Sequence, residues 1–279
     1  MEDILRFIEK PRFDNPALII GWQEDAGRLS SKVIDYINEK IGGRTFCEIE
    51  PVGFFSLEGV AIDNDVAQFP QARFYGFSSS GRSLPEHGRS DLVTFKANEP
   101  QFDRYKFLSV VSDLAQLHCK ISELYTIGGT ICSIAHTKPR NILAVFNQRK
   151  IQDRLRGYGL KNMSWEGPPA ISSYLLWTAQ RRNIPGVSLW IEVPFYLAAD
   201  ADYKGVKKVL SFLDKKFNLN LALGELDAKI RNQDAKIEQL KQDDPEVNRY
   251  IGMLESKLSL SGEEQVELTK RITETLAST

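Results

Sequence analysis

The sequence predicts an α/β domain in three layers, an α/β/α sandwich, and three observations predict it. Short apolar runs of strand length recur along the first two thirds of the chain. They alternate with stretches whose apolar residues fall at helical spacing. Several runs, such as Ala17-Leu18-Ile19-Ile20 and Val187-Ser188-Leu189-Trp190-Ile191, are apolar almost throughout rather than at every second position. That is the pattern of strands covered on both faces. A 279-residue chain with 42% hydrophobic residues fills such a core without staples.

The elements follow in order. After Pro11 and Pro16, residues 17–22 (ALIIGW) read as a buried strand, and residues 24–40 as a helix through Ala26, Leu29, Val33, Ile34 and Ile37. Residues 45–50, 57–62, 72–77 and 91–95 are strand-like, and a helix follows from about Phe102 to Cys119. Residues 76–90, rich in Ser and Gly, form the one clear mobile-loop candidate. Strands at 123–129, 142–146 and 187–193 complete the sheet, with helices near Gln148–Gly157 and Ser172–Arg182 between the last two.

From Tyr203 the strands cease. Apolar positions at Leu226, Ile230, Ile237 and Leu240, then Val247, Ile251, Leu254 and Leu258, predict two helices. Asp244-Pro245 between them supplies a cap and a first-turn proline. The expected organisation is a core over residues 1–218 and a helical hairpin over 219–279. The extension holds 8 basic and 12 acidic residues, leaving 28 and 25 for the core.

Charge and cysteines exclude several classes. Lys+Arg of 36 against Asp+Glu of 37 leaves no overall basic field for nucleic acid or an anionic membrane. Cys47, Cys119 and Cys132 are an odd number without CxxC spacing, which fits buried thiols in a reducing compartment. The acidic start Met1-Glu2-Asp3 has no basic region before an apolar core, and no run approaches the ~18 apolar residues of a membrane span. A cytoplasmic protein is expected. His87, His118 and His136 form no HExxH motif or cluster, so neither a dedicated metal site nor a cofactor is expected.

In an open α/β sheet, ligands bind where loops leave the carboxyl ends of strands. Three segments qualify. In residues 21–27 (GWQEDAG), Gly21 and Gly27 permit close approach, and the helix start offers free N–H groups to an anion. Glu24 and Asp25 oppose that use, because they complement the helix dipole themselves and repel phosphate. In residues 128–139 (GGTICSIAHTKP), Gly128 and Gly129 suit a sharp turn or a close ligand, and Thr130 offers a hydroxyl. His136 is an acid–base candidate or a loop hydrogen-bonding residue, and Cys132 reads as a buried thiol rather than a nucleophile. In residues 190–196 (WIEVPFY), Glu192 ends an apolar strand, either as a polar handle in a cleft or as a salt-bridging partner. Glu166, before Gly167-Pro168-Pro169, either belongs to a rigid turn into a helix or faces the same cleft as Glu192.

Taken in order, residues 19–27, 128–139, 164–171 and 187–219 resemble the proteasome assembly chaperone superfamily in its bacterial and archaeal form. The family's glycine-aspartate turn matches Gly21, Trp22, Asp25, Ala26 and Gly27. Its glycine-rich strand end matches Gly128, Gly129, His136, Thr137 and Pro139, and further matches fall at Glu166-Gly167-Pro168, Pro194 and Tyr196. The resemblance implies a nucleoside-phosphorylase-like sandwich with a C-terminal helical extension, and a homo-oligomer, most plausibly a trimer, with a possible protein partner. The chain ends Ala277-Ser278-Thr279, which departs from the hydrophobic-tyrosine tail of members that dock on proteasomes. Two functions stay open: an assembly-scaffold or binding protein, and a hydrolase or nucleosidase-like enzyme using Glu166, Glu192 or His136.

Overall fold

The computed structural model describes residues 4–56, 61–63, 65–78, 90–164, 166 and 170–278. Strand β1 (Leu5–Phe7) is followed by β2 (Ala17–Trp22), helix α1 (Leu29–Ile41) and β3 (Arg44–Ile49). A separate two-stranded ribbon, β4 (Ala61–Asp63) with β5 (Val66–Gln68), precedes β6 (Ala72–Phe77), β7 (Leu92–Ala97) and α2 (Arg104–Asp113). Next come β8 (Glu123–Cys132), β9 (Ile142–Phe146), α3 (Arg149–Arg154), β10 (Lys161–Asn162), α4 (Ile171–Arg181) and β11 (Gly186–Pro194). Helices α5 (Tyr203–Phe217), α6 (Gly224–Asp243), α7 (Pro245–Glu255) and α8 (Gly262–Ala277) end the chain.

Nine strands form one sheet in the order β1-β3-β6-β7-β2-β8-β11-β9-β10. Its centre, β7-β2-β8-β11, is parallel, and antiparallel strands flank it on both sides. Strand β2 explains the layers: all six of its residues are buried. Leu18, Ile20 and Trp22 join the cluster that contains Leu108 of α2 and Leu175 of α4. Ala17 and Ile19 join the opposite cluster, with Val33 of α1 and Leu210 of α5. Side chains alternate across a strand, so an unbroken apolar run feeds two cores. The α/β sandwich is therefore present.

Three boundaries differ from the sequence reading, each for a local reason. Helix α1 begins at Leu29 rather than near Glu24, because Gly27 (φ 73°) and Arg28 (φ 45°) are both left-handed and hold the preceding loop out of the helix. Helix α2 is regular only to Asp113, and Leu114–Cys119 continue it as a wider turn. Of the strand expected at 57–62, Ala61 and Ile62 are described and lie in the small ribbon; residues 57–60 lie outside the described residues, as do 79–89 of the mobile-loop candidate.

The extension has three helices where two were expected. The α6–α7 junction forms as its sequence indicates, with Asp244 accepting from the N–H groups of Glu246 and Val247 and Pro245 in the first turn. Helix α8 starts at a capping box of Ser261 and Glu264. Leu226, Ile237, Val247, Ile251, Leu254, Leu268 and Ile272 are buried in the same cluster as Val33, Ile37 and Ile191 of the core. The Tyr36 hydroxyl also donates to the Ala222 carbonyl, and Gln233 Nε2 to the Ala201 carbonyl at 2.8 Å. The described part of the extension, residues 219–278, thus packs through these side chains as an outer part of one hydrophobic core.

Candidate functional site

Strands β8 and β11 run on past β2. The β2–β8 ladder ends at Gly21 opposite Ile127, whereas the β8–β11 ladder continues to Cys132 opposite Pro194. The space above the end of β2 is filled by residues 23–28 of the chain itself. Gly129 is the point of closest approach: a Cβ there would stand 2.2 Å from the Ala26 carbonyl oxygen. The loop is held on its other side by Gly27, whose N–H donates to the Ala198 carbonyl at 2.8 Å and whose carbonyl accepts from Asp202 N–H.

Asp25 is the clasp of this arrangement. Its Oδ2 accepts from the backbone N–H of Ser30 at 3.0 Å and of Gly129 at 3.2 Å, joining α1 to β8. The helix N-terminus that offered a place for an anion therefore receives a carboxylate from its own chain. Among the described residues, Oδ1 is buried without a hydrogen-bond partner. Burial pushes the Asp25 carboxyl up to about 7, against the opposing effect of those N–H donors.

The other predicted residues divide between packing and polar anchoring. A Cβ on Gly21 would stand 2.8 Å from Ser30 and Ile34 of α1, and one on Gly128 would stand 3.0 Å from the Trp190 ring. Trp22 is buried, and its indole N–H donates to Ser172 Oγ at 3.2 Å on the α4 side. Thr130 is half-buried opposite Glu192. Glu192 Oε2 accepts from Asn141 Nδ2 at 2.6 Å and from the Asn141 N–H. Burial, then the Glu192 charge, pushes the Cys132 thiol up. His136 is 3% exposed, with its Nδ1 3.0 Å from the Tyr196 hydroxyl. Burial brings its imidazole down to about 4, so it is neutral near pH 7. Glu166 is exposed, and Trp165 and residues 167–169 beside it lie outside the described residues. Among the described residues, Glu166 shares no hydrogen bond or ion pair with Glu192 or His136.

Two features had no distinct sequence signal or were passed over. Arg140 and Asp202 form a buried ion pair, Nε to Oδ2 at 2.7 Å and Nη2 to Oδ1 at 3.2 Å, with side chains 1% and 0% exposed. They are 62 residues apart; Arg140 directly follows the 128–139 segment and Asp202 lies within 187–219, but neither charge stands out there as a site residue. On the outer side of α2 and α4 lies an aromatic face formed by Tyr105, Tyr174 and Trp177, which are 58%, 49% and 40% exposed. The Tyr105 and Trp177 rings are 5.9 Å apart, the Arg181 guanidinium lies 5.0 Å over Trp177, and a groove of about 350 Å³ runs between Arg104, Tyr105, Leu108, Ile171 and Tyr174. The i, i+3 spacing of Tyr174 and Trp177 was the available signal.

The mixed sheet, its helices on both faces and the closed loop at the strand ends define an α/β sandwich of a recognisable kind. The PAC2 family pattern matches residues 18–241, and the chain belongs to that family. Among solved structures, a Corynebacterium glutamicum protein of unknown function superposes with a TM-score of 0.77 at 16% identity, covering 91% of this chain and 96% of that one. The Pyrococcus furiosus archaeal proteasome activator PbaB gives 0.69 at 20% identity, covering 85% and 98%. A Mycobacterium tuberculosis proteasome-assembly chaperone homologue gives 0.68 at 18% identity, covering 84% and 99%. These similarities establish the shared fold, which the resemblance in the sequence implied. Comparison with curated proteins finds no match.

Proposed function

We propose that this protein is a cytoplasmic binding or assembly-scaffold protein that works as a homo-oligomer, most simply a trimer. One observation carries the reading: the exposed aromatic face of α2 and α4, with arginines at its edge. Aromatic residues and arginine are the residue types enriched at protein interfaces, and a contiguous exposed cluster of them is uncommon on a monomer's surface. Its occupant is a second copy of this chain. Arg104 and Arg181 border the face, and the helical extension carries 12 acidic against 8 basic residues. Aromatic face against acidic extension is a head-to-tail contact, and such a contact forms a ring when its rotation closes, as a three-fold one does for a trimer.

The strand-end region supports binding rather than hydrolysis. His136 is sealed and neutral, Glu192 is anchored to Asn141, and the glycines serve approach by the chain's own atoms. Among the described residues no helix is long and apolar enough to cross a membrane. The relatives described as a proteasome activator and an assembly-chaperone homologue agree with a protein-binding role. The test is the solution mass of the wild type beside Trp177→Ser with Tyr105→Ser. Loss of the oligomer with an unchanged circular dichroism spectrum is expected; an unchanged oligomer rejects the aromatic face as the contact.

A further inference from the structure

Where α1, α5 and α6 meet, Lys32 and Lys229 converge on one aromatic ring, and Arg28 adds a third positive charge nearby. Lys32 Nζ on α1 and Lys229 Nζ on α6 lie 5.7 and 5.6 Å from the centre of the Tyr203 ring, at the start of α5. Arg28 lies in the turn before α1, four residues ahead of Lys32, on a backbone whose φ of 45° favours glycine, and its charge acts on Lys32. None of the three has an ion-pair partner among the described residues. The carboxylate facing Lys32, Asp35, gives both oxygens to Lys96, at 2.8 and 2.7 Å. Neighbouring lysines of the same seam are paired instead: Lys204 with Asp234 and Lys207 with Asp227. The unpaired set therefore repels itself. Burial first, then Lys229 and Arg28, holds the Lys32 ammonium below the usual lysine range.

Beside this cluster lies a cavity of about 260 Å³ lined by Tyr203, Lys229, Asn232, Gln233 and Lys236, with Asp200 as its acid. Tyr203 and Lys229 belong to both, so the cavity adjoins the cationic cluster. The walls come from the core at Asp200 and Tyr203 and from the extension at Lys229, Asn232 and Leu276. Asn232 adds an amide that donates and accepts.

We infer that this seam is a binding site for a small phosphate-bearing molecule, with the phosphate among Arg28, Lys32 and Lys229 and the rest of the ligand against Tyr203 in the cavity. Three convergent cations match a multiply charged anion better than a single carboxylate. Arginine and lysine donate charge-assisted hydrogen bonds to phosphate oxygens. A hollow of this size, partly walled by an aromatic ring, suits a ligand at the small end of the usual range. A ligand bridging α1 and α6 would fasten the extension to the core and raise stability in proportion to its occupancy.

The inference is independent of the oligomer, and its test uses the full chain. Pyrophosphate and inorganic phosphate are titrated at constant ionic strength, with heat of binding and thermal midpoint both read. Saturable pyrophosphate binding is expected, weaker by about tenfold in Lys32→Gln and in Lys229→Gln, since each removes one charge-assisted contact. Lys208→Gln, an exposed lysine of α5 outside the cluster, should bind as the wild type does. The site is refuted if neither anion gives a saturable signal, or if Lys208→Gln weakens binding as much as the cluster variants do. Binding of pyrophosphate but not of inorganic phosphate would support a di- or triphosphate ligand.

Discussion

The two faces of the central sheet are built alike near the strands and differ outside them. On one face, α1 and α5 are covered in turn by α6, α7 and α8, whose apolar side chains continue the core outward. On the other, α2 and α4 bury Leu108 and Leu175 inward but leave Tyr105, Tyr174 and Trp177 open. The extension is thus a third layer of cover that one face has and the other lacks. The sequence alone predicts the extension only as a helical appendage following the core. Its buried residues make it structural on its inner side, whereas among the described residues no further element packs over the exposed aromatic side chains of α2 and α4.

The largest effect should come from the covered side. Arg140→Ala leaves Asp202 charged and buried, and about 3–5 kcal/mol of stability should be lost in urea unfolding. A loss well below 1 kcal/mol would mean that the pair contributes little to the covered face. Next, Leu268→Ala in α8 should cost about 2–5 kcal/mol, because a fully buried side chain is removed from a shared core. A surface-like value would show the extension to be only loosely docked. Removing residues 219–279 outright should expose the α1–α5 cluster and yield aggregated protein, so point substitutions are the cleaner probe of assembly.

A subtler effect concerns pH at the strand ends. Asp25 is raised from 3.8 to about 7 in the fold, so the folded state holds a proton that the unfolded chain has released, and stability falls as pH rises across that window. His136 is lowered from 6.5 to about 4, so here the unfolded chain holds the extra proton and stability rises with pH between those values. The two slopes oppose each other between about 4 and 6.5. Wild-type stability should be nearly flat there. Asp25→Asn should rise with pH over that window, and His136→Gln should fall with pH up to about 7. Parallel curves for all three proteins would refute the assignment. The smallest stability effect is expected on the open face, where Trp177→Ser should change unfolding by about 1 kcal/mol or less.

Much of this was legible in the residues. Continuous burial of β2 followed from ALIIGW, and the α6–α7 junction from Asp244-Pro245. Two things were not. Gly128 and Gly129 read equally well as a ligand approach or as internal packing, and only the position of Ala26 and Trp190 in space separates the two. The Arg140–Asp202 pair and the Arg28–Lys32–Lys229 cluster unite residues far apart in the chain, at positions where each charge reads as an ordinary surface residue. Helix α8 has its own signal in the residues, the Ser261/Glu264 capping box followed by Leu268, Ile272 and Leu276 at spacings of four, which a two-helix reading of the extension omits.

The central claim is that α2 and α4 present the face through which copies of the chain meet. Native mass spectrometry of the wild type and of the Tyr105→Ser, Trp177→Ser double variant tests it most directly. The account predicts a multiple of 31.6 kDa for the wild type and a folded 31.6 kDa monomer for the variant. A monomeric wild type, or a variant with the same assembled mass, would contradict it.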